Sequence, residues 1–444
     1  MANIDSSSRD GFTSKFGVIA AAAGSAIGLG NIWKFPYEVG NNGGGAFLLI
    51  YLFFIVAIGI PVMLSELMIG RKAQKNVFGA FKLLAPHKAW RLVGVMGVFA
   101  AFLILSFYAV VAGWTLEYVY LAVTNGLANK TPEEINNIFD VFMSGKLIPV
   151  LWTLLFMLLT ALVVLGGIKN GIEKYTKVLM PLLLVIIIVL DIKALTLEGA
   201  GEGLAFLFNP DFAKITPQVI LSALGQAFFS LSIGMGVIAT YGSYIPKSQR
   251  LGNTAISVSF ADTLIALLAG IAIFPAVFAF GMEPAQDEGL VFRVLPNIFN
   301  QMAGGSLFQV LFFLLLCIAA LTSSISLLEV IVAYMSEELK IKRRTATWAT
   351  TGFISGLGVL CVLFSSVFGA FVFISSNVLL PLGGLFIVIF VGYVLKQAEV
   401  KQELEAHGGR FNLFKVFIFI VRYIAPIAIG VVFLKGIGVI DLIL

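Results

Sequence analysis

Residues 24–31, Gly24-Ser25-Ala26-Ile27-Gly28-Leu29-Gly30-Asn31, set three glycines and two polar side chains inside an apolar segment that runs from about Phe16 to Val39. The segment is long enough to cross a bilayer, which takes about 20 residues. Lipid offers no hydrogen-bond partners, so an irregular backbone at membrane depth persists only within protein or along a watery cavity. Carbonyls freed by such a break can coordinate a cation, and the N-terminus of a half-helix can face an anionic group. The break therefore marks where a transported solute would sit.

The rest of the chain fits that setting. Of 444 residues, 59% are hydrophobic and 12% charged, and the mean hydropathy is +1.00, which excludes a soluble globular protein and indicates a polytopic membrane protein. Cys317 and Cys361 sit inside apolar runs and read as small packing residues. His87 and His407 are too few and too far apart for a metal cluster. The net charge of +5 needs no nucleic-acid partner, because membrane topology accounts for it. Met1 to Lys15 is polar and has no signal-peptide core, so the first segment is expected to remain in the mature protein.

Eleven apolar segments can be drawn, at about 16–39, 45–70, 92–123, 149–167, 172–195, 217–244, 254–281, 307–338, 347–365, 370–396 and 411–440, with the longer polar loops at 124–148, 191–216 and 282–306. Most of the 29 Lys and Arg residues gather in one alternate set of loops, notably Arg71 to Arg91, Lys340 to Arg344 and Lys396 to Lys415. Cytoplasmic loops attract such residues. The N-terminus is expected inside and, after an odd number of spans, the C-terminus outside.

The sixth segment repeats the oddity of the first: Ser230-Leu231-Ser232-Ile233-Gly234-Met235-Gly236 puts two hydroxyls and two glycines in mid-span. Segments one and six open two five-helix sets, 1–5 and 6–10, and because five is odd the second set must be inverted. Interrupted spans at corresponding positions of two halves point to the binding site of a secondary transporter. Close helix packing would explain one glycine-rich helix. It does not explain two at matching positions, mixed with Ser and Asn.

Ionisable groups within spans default to functional roles. Asp262, near the start of segment seven, could bind a cation directly, since hard cations prefer oxygen; the competing role is an acid satisfied near a helix end by Ser257 and Ser259. Glu66 in segment two would accept hydrogen bonds from backbone amides freed by a broken helix. Glu117 and Glu329 read as ordinary buried acids. Thr322-Ser323-Ser324 adds three hydroxyls to segment eight, which alone is weak evidence because such hydroxyls commonly bond their own helix.

The strings GSAIGLGNIWKFPYEVGNNGGGAF, GWTLEY, GQAFFSLSIGMGVIATYGSY and ALTSSISLLE, in this order across almost the whole chain, resemble the neurotransmitter:sodium symporter family, in particular its bacterial amino-acid transporters with the leucine-transporter fold. The eleven-span layout is similar to that of bacterial tyrosine and aromatic amino-acid transporters. The fold that the resemblance implies is an all-α polytopic membrane protein of 11 transmembrane helices, a single transporter domain over residues 1–444. Helices 1–5 (about 16–195) would form the first repeat, helices 6–10 (about 217–396) its inverted copy, and helix 11 (about 411–440) an addition.

The same resemblance implies two sodium ions. The first would use the Ala26 carbonyl, the side chains of Asn31, Ser230 and Asp262, and the substrate carboxylate. Relatives often carry Asn at the Asp262 position. Chloride-dependent animal relatives obtain the missing negative charge from an anion near Tyr51, Gln226 and Ser230, so Asp262 implies chloride independence. The second sodium would lie among carbonyls of Gly24, Ile27 and Ala319 and hydroxyls of Thr322 and Ser323. Proton coupling is the rival there, although no carboxylate or histidine is among the five ligands.

The implied substrate is an amino acid whose carboxylate meets sodium, amides around Leu29 and Gly30, and the Tyr108 hydroxyl. Its ammonium group would face carbonyls of Ala26, Phe229 and Ser232, beside Ser230. Ser25, Ile104, Phe229, Met235, Ser326 and Leu327 would line the side-chain pocket. Ser25 stands where the leucine transporter has a larger Asn, and Met235 where it has Phe, which implies a hydrophobic or aromatic substrate, tyrosine or tryptophan before leucine. The alternatives are a transporter of leucine-like or smaller amino acids, and a channel or transceptor-like sensor. No nucleophile–His pair supports an enzyme.

Gates follow by position. Inside, Arg9 would pair with Glu337, supported by Phe12 and Tyr244. Outside, Tyr108 and Phe229 would form a thin lid with Lys34 and Gln226 above it. The acid that relatives pair with the Lys34 position has no counterpart here, since residues 366–398 contain no Asp or Glu. Gly171 and Pro181 flank the cytoplasmic half of helix five, which could unwind to release the second sodium; an ordinary proline kink is the competing explanation. The implied location is a bacterial cytoplasmic (inner) membrane, with monomer and dimer both open.

Overall fold

The computed structural model describes residues 10–86, 89–283, 290–406 and 411–440, so His87 and His407 lie outside it. Among these residues the chain is helical and contains no strand. The first span, α1, is two half-helices, α1a (Lys15–Ala26) and α1b (Gly30–Asn41), bent by 53°. Four continuous helices follow: α2 (Gly45–Ala73), α3 (Arg91–Val123), α4 (Leu147–Leu165) and α5 (Ile168–Leu195). The sixth, α6, is again two pieces, α6a (Pro217–Ser230) and α6b (Val237–Gly242). Then come α7 (Leu251–Ala279), α8 (Gly305–Glu337), α9 (Arg343–Leu363), α10 (Ser365–Val394) and α11 (Phe414–Gly436). The nine unbroken helices are each long and apolar enough to cross a membrane and satisfy their own backbone groups in lipid.

The centre of the bundle is the long pair α3 and α8, which pack most extensively on each other and carry the most deeply buried faces. The half-helices of α1 lie against α7 and α8, and α6b lies against α2. Bare glycine surfaces allow the latter approach. A Cβ at Gly70 would lie 1.9 Å from the Ala239 carbonyl, and one at Gly242 would lie 2.7 Å from that of Leu67.

Three features differ from the sequence reading. Asp262 lies in the middle of α7 and is fully buried, so it is not an acid near a helix end. The longer loops carry their own helices, Pro132–Ser144, Ala200–Phe208 and Leu295–Gln301. The first of these is launched by a reciprocal cap in which Glu134 N–H donates to Thr131 Oγ (3.3 Å) and Thr131 N–H to Glu134 Oε2 (2.8 Å). Finally, Arg71 is more than one positive charge of a loop. It is completely buried, its Nε lies 2.6 Å from Glu403 Oε1, and it also donates to the carbonyls of Gln249 and Glu403. It thereby ties the end of α2 to the segments after α6b and α10.

Candidate functional site

Each break is built by backbone that regular helix cannot supply. In α1 the helix stops at Ala26, Ile27 is extended, and a π-turn resumes at Gly30. In α6 the turn between the half-helices takes Ser232, Gly234 and Gly236 to φ of 54°, 86° and 75°. Glycine adopts that left-handed region at little cost. At Gly234 there is also no room for a side chain, because a Cβ would lie 2.2 Å from the Leu380 carbonyl of α10. The Gly234 N–H donates to Glu66 Oε1 at 2.7 Å. Glu66 thus serves as the buried acceptor for the second break.

The side chains that the sequence assigns to the first sodium meet where the two breaks adjoin. Asn31 Nδ2 donates to Asp262 Oδ1 at 2.7 Å, to the Asp262 carbonyl at 3.1 Å and to Ser230 Oγ at 3.2 Å. Ser230 Oγ donates to Asp262 Oδ2 at 2.7 Å and accepts from Tyr51 at 3.2 Å. Asn31, Ser230 and Asp262 are all buried, and Ala26, the last residue of α1a, is buried on the pocket wall.

The second group also converges. Ser323 Oγ donates to the carbonyls of Ile27 and Ser25, each at 3.2 Å, and Thr322 Oγ1 to that of Ala319 at 3.1 Å. A Cβ at Gly24 would lie 3.4 Å from Thr322 and 3.3 Å from the Met180 sulfur of α5. Gly24 and Ile27 thus lie against Thr322 and Ser323 of α8, with Met180 of α5 beside Gly24.

Between the breaks is a pocket of about 530 Å³, counting its open mouth. Ser25, Ala26, Leu29, Gly30, Ile104, Tyr108, Phe229, Ser232, Met235, Ser326 and Leu327 all line it. Ser230 does not; its hydroxyl belongs to the Asp262 cluster. The sequence reading missed Gly28, Phe107, Ser323, Ser376 and Leu380 as wall residues. Leu29 N–H donates to the Tyr108 hydroxyl at 3.4 Å. Tyr108 and Phe229 are shared with a wider space, about 1050 Å³ with its open solvent included, lined also by Trp33, Tyr37, Trp114 and Phe368.

Polar clusters at two unwound spans, opposite a hydroxyl-bearing α8, match a family. Residues 9–144 and 141–441 fit the profile of the sodium:neurotransmitter symporter family. The chain belongs to that family. It is a multi-pass, sodium-dependent transporter and not an enzyme. The sodium-dependent transporter YhdH of Bacillus subtilis is 41% identical to it, over 97% of this chain and 98% of its own. A sodium-dependent transporter of Haemophilus influenzae is 38% identical, over 96% and 98%. The crystal structure of MhsT in complex with L-phenylalanine superposes with a TM-score of 0.89 at 46% identity, covering 97% of this chain and 100% of that one.

At the mouth of the transporter's pocket, Lys34 Nζ lies 4.2 Å from the centre of the Phe229 ring, and Gln226 Nε2 donates to the Gly30 carbonyl at 3.0 Å. At the other end the chain before α1a closes over the bundle. Phe12 is buried, its N–H donates to the Tyr244 carbonyl at 3.2 Å, and its ring meets Tyr241 and Tyr244 edge-on. Arg9 lies outside the described residues; Glu337 accepts from Asn76 N–H and Nδ2 at 2.9 and 2.8 Å.

Two acids at this end carry more than the sequence disclosed. Glu329, read as ordinary, is fully buried, accepts from Tyr244 at 2.8 Å and pairs with Arg343 at 2.5 Å. Glu173 accepts from Thr13 N–H and Oγ1 at 2.8 Å and from Ser14 Oγ at 2.9 Å, and pairs with Lys177 at 2.5 Å. Both lie in spans as buried acids, and that position was the available signal. Glu173 falls between Gly171 and Pro181, within a segment of α5 that is helical here, including a π-turn over Ile168–Glu173.

Proposed function

We propose that this transporter imports a hydrophobic or aromatic amino acid, tyrosine or tryptophan first, by alternating access with two sodium ions and without chloride. The carrying observation is the junction of the breaks, where Asn31, Ser230 and Asp262 lie hydrogen-bonded beside a pocket walled by Ser25, Tyr108, Phe229 and Met235. The phenylalanine in the MhsT complex supports an amino-acid substrate.

In this reading the first sodium replaces the Asn31 amide donor among the Asp262 and Ser230 oxygens, and Asn31 turns its Oδ1 inward. The Ala26 carbonyl and the substrate carboxylate complete its shell. Substrate and sodium then strengthen each other's binding reciprocally. The fixed Asp262 charge beside Tyr51 and Ser230 takes the role of a bound chloride. Gly24, Ile27, Ala319, Thr322 and Ser323 hold the second ion with neutral oxygens only, which suits a monovalent ion that must leave again. The wide space above Tyr108 and Phe229 is the extracellular vestibule, and the seal around Phe12 and Tyr244 is cytoplasmic, in keeping with the Lys and Arg distribution.

Release proceeds through α5. Unwinding residues 171–181 withdraws Glu173 from Thr13 and Ser14, and Met180 from Gly24, opening the second ion to the cytoplasm. Proline in a helix interior costs about 3 kcal/mol. Pro181→Ala therefore stabilises the closed helix and is expected to slow sodium-coupled turnover at least about tenfold, with substrate affinity within about twofold; unchanged turnover would refute the unwinding step.

The overall reading is tested by uptake into proteoliposomes with sodium, chloride and internal pH varied independently and every amino acid offered as competitor. Accumulation of tyrosine or tryptophan driven by an inward sodium gradient in gluconate is expected. Accumulation without a sodium gradient, a strict chloride requirement, or glycine as the best competitor would each remove part of it.

A further inference from the structure

The five serines on the pocket wall are not equivalent. Ser326 Oγ donates to the Ser323 carbonyl at 2.7 Å, Ser323 Oγ to the carbonyls of Ser25 and Ile27 at 3.2 Å, and Ser232 Oγ to that of Ser25 at 3.0 Å. Ser376 is half-buried where the pocket meets the vestibule. Ser25 is 3% exposed, and its own hydroxyl has no hydrogen-bond partner among the described residues.

Most buried helical serines of the bundle do find a partner, although Ser336 of α8, away from this pocket, also has none among the described residues. A serine within a helix ordinarily satisfies its hydroxyl on a carbonyl three or four residues back. Ser65 does so on Pro61, Ser106 on Phe102 and Ser324 on Leu321, each at 2.8 Å. Ser25 forgoes that bond, on a wall whose apolar part includes Ile104, Phe107, Met235, Leu327 and Leu380. A buried hydroxyl without a partner is costly unless a ligand meets it.

We propose that Ser25 Oγ is a specificity-determining group that hydrogen-bonds a polar atom on the substrate's side chain. The pocket then favours aromatic side chains that carry an N–H or O–H over phenylalanine and aliphatic residues of similar bulk. The hydroxyl can accept from an indole N–H, and can donate to or accept from a phenol. The inference rests on the reading of this pocket as the amino-acid site.

The test is sodium-dependent equilibrium binding of phenylalanine, tyrosine and tryptophan to the full-length transporter and to its Ser25→Ala and Ser25→Thr variants. Ser25→Ala is expected to weaken tyrosine and tryptophan about tenfold, the worth of one buried neutral hydrogen bond, and to leave phenylalanine within about twofold. Ser25→Thr, which keeps the hydroxyl, retains the preference. An equal shift for all three ligands, or none, overturns the role of Ser25. Failure of the unaltered transporter to bind any of the three overturns the amino-acid reading instead. A second measurement needs no variant: tyrosine should outbind 4-methylphenylalanine, which has its size without its hydroxyl, by about tenfold, and equal affinities contradict the proposal.

Discussion

Asp262→Asn is expected to raise the sodium concentration for half-maximal uptake about 100-fold in chloride-free medium, and added chloride is expected to recover much of the loss. The carboxylate is fully buried and receives bonds of 2.7 Å from both Asn31 and Ser230. Hydrogen bonds to a charged partner contribute roughly 1.5–3 kcal/mol each. An amide keeps one acceptor and turns a donor toward a donor, so about 3 kcal/mol is lost, near the stated factor. In the proposed reading the charge that balances the first sodium disappears as well, and Tyr51, Ser230 and Gln226 would receive an anion in its place. Uptake measured against sodium in chloride and in gluconate reads both effects. Wild-type sodium dependence of Asp262→Asn in gluconate would mean that the fixed charge is not used.

Gly234→Ala should be among the most damaging single-methyl changes in the bundle's centre. The residue has φ of 86°, and the added carbon would lie 2.2 Å from a backbone carbonyl of α10 that cannot swing aside. Left-handed strain costs about 1 kcal/mol and overpacking about 1–3 kcal/mol, about 3 kcal/mol together. Relief requires α6b to move away from α10, which also pulls the Gly234 N–H from Glu66 and Met235 from the pocket wall. The expected result is loss of more than nine-tenths of sodium-dependent binding, with a lower melting temperature in detergent. Gly225→Ala, whose Cβ would meet nothing within 4 Å, is the control and should behave as wild type.

Much of this was legible in the sequence because membrane spans make polar residues conspicuous. Glycine and serine interrupting α1 and α6, an acid in α7 and three hydroxyls in α8 stand out against apolar surroundings, and the fold brings those residues together except Ser324, which turns to Thr160 of α4. Glu66 was legible for the same reason, since a freed amide in lipid must find an acceptor. What stayed hidden depends on pairings across hundreds of residues. Arg71 counts as one more loop charge until the fold sets it against Glu403, and Glu329 looks ordinary until Arg343 and Tyr244 arrive beside it. Phe107 and Leu380 lie in runs so uniformly apolar that no periodicity marks the face turned to the pocket. Ser25 was legible as a matter of size, but its unmet hydroxyl emerges only once the bonds of its neighbours are known.

The central claim is that the two breaks form one coupled site for sodium and an amino acid. Equilibrium binding of radiolabelled tyrosine to the purified transporter, as sodium replaces N-methylglucamine at constant ionic strength in gluconate, tests it most directly. Linkage predicts that tyrosine affinity rises at least about tenfold with sodium and that tyrosine raises sodium affinity by the same factor. Tyrosine affinity that is the same in sodium and in N-methylglucamine would contradict it.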